Sequence, residues 1–185
     1  MPATKNQLID ERKYEVMNEL KENKLATREE VEQQIGKNRD LSGMDLSGLE
    51  LSEMKLAMMN MEEANLSGAD LTNAVIAAIN LENSNLSQTK LQGATIAAAN
   101  LENVNLTGAD LSSSRWLGVN VSGADFTDVM MTDAHAAGVD WSSAKVPPAE
   151  KPEPMAPPPW LPPLIAGVVV FFIIVILMRK RGQAQ

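Results

Sequence analysis

Along residues 41–141 the apolar positions recur every fifth residue without a slip, from Leu41, Leu46, Leu51, Leu56, Met61, Leu66, Leu71 and Ile76 through to Trp116, Val121, Phe126, Met131, Ala136 and Trp141. A period of five is neither the 3.6 of an amphipathic helix nor the 2 of a half-buried strand. It predicts a repeat architecture in which each short unit buries its apolar side against its neighbours. Two residues before the centres stand further small or apolar side chains, among them Ala64, Ala69, Ala74, Ala94, Ala99, Ala109, Ala124 and Ala134, and the residue between is mostly Asp or Asn. Alternate side chains of an extended segment point to opposite sides. The centre and the residue two before it therefore share the inside, and the Asp or Asn faces out. Ser, Thr and Gly after each centre supply turn chemistry, and the Gly, Ser and Asn content opposes a helix.

A longer period of twenty overlies the first. The run Lys55–Met61 aligns with Val75–Leu81, with Thr95–Leu101 and with Arg115–Val121. Four five-residue segments thus make one turn, and the stretch holds about five coils. At the ~4.8 Å spacing of neighbouring strands the rod is roughly 25 Å long.

The unit, as in Ala64-Asn65-Leu66-Ser67-Gly68, resembles that of the pentapeptide-repeat family, and the resemblance extends over 41–145. It implies an all-β repeat fold: a right-handed quadrilateral parallel β-helix of about five coils, each pentad forming one side.

The flanks differ from the rod. Residues 1–38 read as an N-terminal helical segment. Thr4 with Gln7 and Thr27 with Glu30 have the spacing of capping boxes. The first helix, 5–23, carries a stripe at Ile9, Val16, Met17 and Leu20, and the second, 28–35, offers Val31 and Ile35 and is expected to end on Gly36. These helices either cover the open end of the rod or dock a partner. The rod occupies 39–145. Residues 146–160 are a proline-rich linker, expected to be neither regular helix nor strand, because proline lacks the N–H that both use. The apolar run 161–178 has the length and composition of one transmembrane helix. Trp160 stands at its start, and the basic tail 179–185 follows with Arg179, Lys180 and Arg181.

Charge separates the same regions. Residues 1–39 carry eight acidic and eight basic side chains, whereas residues 40–144 carry fourteen acidic and three basic, a net of −11. A basic nucleic-acid interface is excluded, and no direct nucleic-acid contact is expected. With no Cys and a single His, thiolate sites and multi-histidine metal sites are excluded too. The carboxylates, including the pair Glu62 and Glu63, lie on regular outer faces with no cleft to tune them. His135 takes an outward position. We therefore expect no enzyme, no cofactor and no metal.

Two surfaces are candidates for interaction. Glu62, Glu63, Glu82 and Glu102 form an acidic face along which Asp40, Asn60, Asn80, Asn100, Asn120 and Asp140 also run. Ala57, Met58, Val75, Ala77, Ala78, Ala97, Ala98, Leu117 and Ala137 form an apolar face with hardly any charge, one that asks for a cover. Trp116, Phe126, Met131 and Trp141 either fill a wider interior or present an apolar end, and the family resemblance implies a homodimer through such a C-terminal coil. The leading expectation is a membrane-anchored scaffold that displays a rigid rod to a protein partner. The resemblance offers an alternative, since some family members are acidic rods that mimic DNA and bind DNA topoisomerases. For orientation, the C-terminal position of the apolar run and the absence of an N-terminal signal favour a cytoplasmic rod on a single-pass anchor. The basic residues after the run argue the other way.

Overall fold

The structure is a computed structural model that describes residues 24–155. It is an all-parallel β-solenoid of about five turns. The short strands β1 (Lys55–Ala57), β2 (Val75–Ala77), β3 (Thr95–Ala97), β4 (Arg115–Leu117) and β5 (His135–Ala137) stack in chain order in one sheet. A sixth strand, β6 (Glu153–Pro154), follows β5. From β1 to β5 the register is twenty residues, with Leu56 on Ile76, Ile76 on Ile96 and Ile96 on Trp116; β6 joins β5 at an offset of eighteen, His135 on Glu153. The three other sides are linked by single bridges at the same spacing, such as Asn65 to Asn85 and Asn80 to Asn100.

Each side ends in a corner residue with positive φ, two positions after the centre. Glycine fills the corner at Gly48, Gly68 and Gly108, because this conformation costs it nothing. Asn73, Asn83 and Asn103 fill others, asparagine being the side chain that best tolerates the left-handed region. On three sides the corner is closed by a turn hydrogen bond, for example Ala69 N–H to Leu66 C=O at 3.0 Å and Ala94 N–H to Leu91 C=O at 3.0 Å. On the fourth side the chain stays in the sheet one residue longer, and Ala57 pairs with Ala77 instead.

The interior is four ladders of centres, lined by the residues two before them. Leu71, Leu91 and Leu111 lie in one such ladder and are buried to within 1 %. Polar residues in the inner slots satisfy themselves: the hydroxyls of Ser84, Thr89 and Ser114 donate to the carbonyls of Leu81, Leu86 and Leu111. Trp116 Nε1 in turn donates to Ser114 Oγ at 2.8 Å. The large aromatics fill the interior. Trp116, Phe126 and Trp141 meet at ring-centroid distances of 5.5–6.1 Å in tilted and edge-on geometry, as ring quadrupoles prefer. Ala136, next above Trp116 in its ladder, is the smallest centre and leaves room for the indoles.

Helix α1 (Arg28–Asn38) covers the N-terminal end. Its Thr27–Glu30 capping box forms on both sides. Val31 is fully buried in the solenoid core, with Leu25 and Ile35 packed against it. Arg28 Nη1 donates to Ser52 C=O at 2.8 Å. The expected stop at Gly36 is corrected: the helix runs on to Asn38, and Arg39 takes the left-handed cap position at φ 55. Gly36 lies inside the last turns, and Arg39 N–H closes the helix on Ile35 C=O at 3.2 Å. The expected helix over 5–23 lies outside the described residues.

At the other end a second expectation is corrected: the proline-rich stretch, expected to be neither regular helix nor strand, carries β6 and pairs with the last coil. Phe126 N–H donates to Val146 C=O at 2.9 Å, Glu153 N–H to Ala134 C=O at 2.9 Å and Met155 N–H to Ala136 C=O at 3.0 Å, and Pro148 is buried. Proline is tolerated because the residues that must donate are not the prolines. Among the described residues no helix is long and apolar enough to cross a membrane; the run 161–178 lies outside them.

Candidate interaction surface

The fourth side is the one continuous sheet. Its inward column is Leu56, Ile76, Ile96, Trp116 and Ala136, so the residues on either side of each centre must point out. One outward column is Ala57, Ala77, Ala97, Leu117 and Ala137. The corner beside it carries Met58, Ala78, Ala98, Gly118 and Gly138. Met58 is 65 % exposed and Val75 38 %. The structure thus brings all the apolar candidates onto one flat side, with Ala-sized relief over the middle coils. It also adds what the sequence reading passed over. The second outward column is Lys55, Val75, Thr95, Arg115 and His135, so this apolar face has a basic edge. His135 Nε2 lies 3.9 Å from Glu153 Oε2 on β6. The signal was present in the alignment at period twenty, which puts Lys55 and Arg115 in one column.

The acidic candidates divide differently. Glu62, Glu82 and Glu102 stack in one column, while Glu63 sits at a corner with φ 58. Beside the column runs a ladder of side-chain amides. Asn80 Nδ2 donates to Asn60 Oδ1 at 3.2 Å, Asn100 to Asn80 at 3.0 Å and Asn120 to Asn100 at 2.7 Å. Glu82 and Glu102 accept from Asn100 and Asn120 at 3.4 Å each, so these carboxylates lean along the ladder. A second ladder on the next side links Asn105, Asn85, Asn65 and Asp45. In both, each amide donates toward the N-terminal coil. The first member needs only to accept, and it is an aspartate, Asp40 or Asp45.

These Asp and Asn side chains have a second task. Each accepts from the backbone N–H two residues on, as Ser67 N–H to Asn65 Oδ1 at 3.2 Å and Thr72 N–H to Asp70 Oδ1 at 3.0 Å. Hydrogen bonds from Ser42 and Thr72 hold the Asp40 and Asp70 carboxyls below their ordinary value. Burial pushes Asp110 up, but hydrogen bonds from Ser112 and Gln92 outweigh it and the net direction is down. Low carboxyl pKa values here follow from corner chemistry.

Among the described residues no group of His, Asp and Glu is placed to hold a metal ion, and every buried side-chain N or O has a partner. The interior void beside Leu56, Ile76 and Leu86 is about 10 Å³ and apolar, too small and too dry for a ligand. What the rod offers is surface.

A family model for pentapeptide repeats matches the chain in 8 copies, over residues 45–88, 69–108 and 105–140. The chain belongs to the pentapeptide-repeat family. Solved pentapeptide-repeat structures resemble it in part. HetL, involved in heterocyst differentiation regulation in the cyanobacterium Nostoc sp. strain PCC 7120, is 26 % identical with a TM-score of 0.46, the match covering 58 % of this chain and 51 % of that one. This chain therefore spans about half the length of HetL. A pentapeptide-repeat protein of the Arabidopsis thaliana thylakoid lumen is 36 % identical over 54 % of this chain and 74 % of its own, with a TM-score of 0.42. QnrB1, a plasmid-mediated fluoroquinolone resistance protein, is 11 % identical over 57 % and 73 % with a TM-score of 0.36. No curated protein matches the chain.

Proposed function

We propose that this pentapeptide-repeat protein is a non-enzymatic, membrane-anchored scaffold that presents its sheet face to a protein partner. The observation that carries the reading is the outward column Ala57, Ala77, Ala97, Leu117 and Ala137 beside exposed Met58, a continuous apolar strip along the sheet side. Small side chains let a partner backbone approach closely, and apolar area removed from water is the general driving force of association. Lys55 and Arg115 at the edge favour a partner with carboxylates flanking its own apolar surface. The anchor is the run 161–178, and the rod lies on the cytoplasmic side.

The test uses the full-length chain. A partner recovered by cross-linking with the parent should be lost with Ala77→Glu/Ala97→Glu and kept with Glu82→Gln/Glu102→Gln. If the first variant keeps every partner, the sheet face is not the interface. For the anchor, protease added to intact cells should spare the rod and digest it after lysis; digestion in intact cells reverses the orientation.

The net charge of −11 over residues 40–144 favours a second reading, an acidic DNA mimic that binds a DNA topoisomerase. Supercoiling by a gyrase left unchanged at micromolar full-length protein removes it.

A further inference from the structure

A solenoid of near-identical coils carries a hazard at its ends. The edge of the last coil is a row of backbone donors and acceptors of the kind that the next coil would use. A second copy presents matching coils, and a head-to-tail contact of that kind does not close, so it propagates into fibres. The N-terminal end is occupied by α1, whose Val31 is fully buried. The C-terminal end is occupied by the strap Val146–Met155.

The strap is built to accept the rod on one edge and refuse a further strand on the other. Along a strand, successive residues turn their N–H and C=O groups to opposite edges. Glu153 and Met155 donate to Ala134 and Ala136 at 2.9 and 3.0 Å, so they face the last coil. Pro152 and Pro154 alternate with them and face away, and proline has no N–H to give. The outward edge of β6 therefore offers carbonyls and no amide at these two positions. Beneath the strap Trp141, 9 % exposed, closes the aromatic cluster.

We propose that Val146–Met155 is an end stop that keeps a second copy of this chain from adding to the C-terminal coil, with Pro152 and Pro154 as the residues that enforce it. This inference does not depend on the scaffold reading. It replaces the end-to-end homodimer that the family resemblance implied with an end closed to it.

The chain contains no Cys, so one introduced thiol reports on the end alone. Full-length Glu150→Cys, in detergent micelles with an added thiol oxidant, is compared with the same chain carrying Pro152→Thr/Pro154→Thr. Glu150 is exposed on the strap. Any association through other segments is common to both proteins. The expected result is a several-fold rise in disulfide-linked dimer with the double substitution, growing with protein concentration. Amide exchange at Glu153 and Met155 checks that the strap stays docked in both. Equal yields from the two proteins with the strap docked overturn the role of the prolines. Efficient dimerisation of Glu150→Cys with the prolines in place overturns the end stop itself. If amide exchange shows that the double substitution instead releases the strap, the bared end must still link more dimer than Glu150→Cys alone, and an unchanged yield overturns the proposal.

Discussion

Asn65 Nδ2 donates to Asp45 Oδ1 at 3.0 Å, one coil away. Asp45 also accepts from Ser47 N–H at 3.0 Å, so one carboxylate serves the foot of a ladder and a corner at once. Asp45→Ala removes the one oxygen that accepts both hydrogen bonds at a half-buried site and should cost about 1–2 kcal/mol in chemical denaturation. Asp45→Asn keeps an acceptor oxygen and should cost clearly less. Equal losses would mean that charge, through Lys24 at 3.8 Å, matters more than the ladder.

Leu91 is completely buried between Leu71 and Leu111 in one interior ladder. Leu91→Asp would put an unpaired carboxylate into that stack and should cost several kcal/mol. A variant that melts with the parent would overturn the five-residue register.

Asp40, Asp45, Asp70, Asp110 and Asp125 are all held below the ordinary 3.8 by the fold. For Asp40, Asp70 and Asp125 the leading cause is hydrogen bonding from Ser42, Thr72 and Thr127. Burial opposes the shift most at Asp45 and Asp110, where the hydrogen bonds still prevail. A depressed folded-state value means that the unfolded chain takes up protons first as pH falls. The contribution is therefore complete above the unfolded value and is lost as pH falls through the folded ones. The melting temperature should be nearly flat between about pH 7 and 5 and drop below about pH 4. The quintuple Asp→Asn variant should show a shallower acid drop.

Gly36 lies within α1, exposed and with open space where a Cβ would stand. Gly36→Ala should stabilise the chain by about 0.5–1 kcal/mol, because alanine loses less backbone entropy in a helix. Arg39→Gly, at the true left-handed cap, should also stabilise, though by less, since glycine gives back part of the strain relief as entropy. Loss of stability on Gly36→Ala would restore the shorter helix.

The pentad register and the coil count were legible because each inward slot recurs in sequence and steric demand alike. Leu71, Leu91 and Leu111 could be placed in one column before any coordinates. Which side becomes the sheet was also written in the chain, less openly. Positions 65, 85 and 105 are Asn, and each caps the amide two residues on. Positions 55, 75, 95, 115 and 135 are Lys, Val, Thr, Arg and His, and none makes that cap. A column with no Asp or Asn at any level marks the sheet side; the column of Glu50, Asp70, Lys90, Asp110 and Met130 keeps two and stays at single bridges. The helix end was misplaced because glycine is only one way to reach positive φ, and Arg39 reaches it under tertiary restraint. The strap was missed because proline content was weighed as a sum. What matters is parity: Pro152 and Pro154 both fall on the edge that has nothing to donate to. Which partner the sheet face meets is not encoded in periodicity at all, since Ala77 and Ala97 satisfy the fold whether covered or bare.

The twenty-residue register turns the chain into a ruler with a coarse scale. Excising one full circuit, such as residues 81–100, would shorten the rod by a single rung, roughly 4.8 Å, and leave Ala77 beneath Leu117 on the same side. Excising five residues would turn everything downstream by a quarter of the circumference, so that the columns before and after the cut no longer meet. Changes in length are therefore quantised: lineages of this chain can lengthen or shorten by whole circuits at small cost, while intermediate insertions must be carried as loops at the corners.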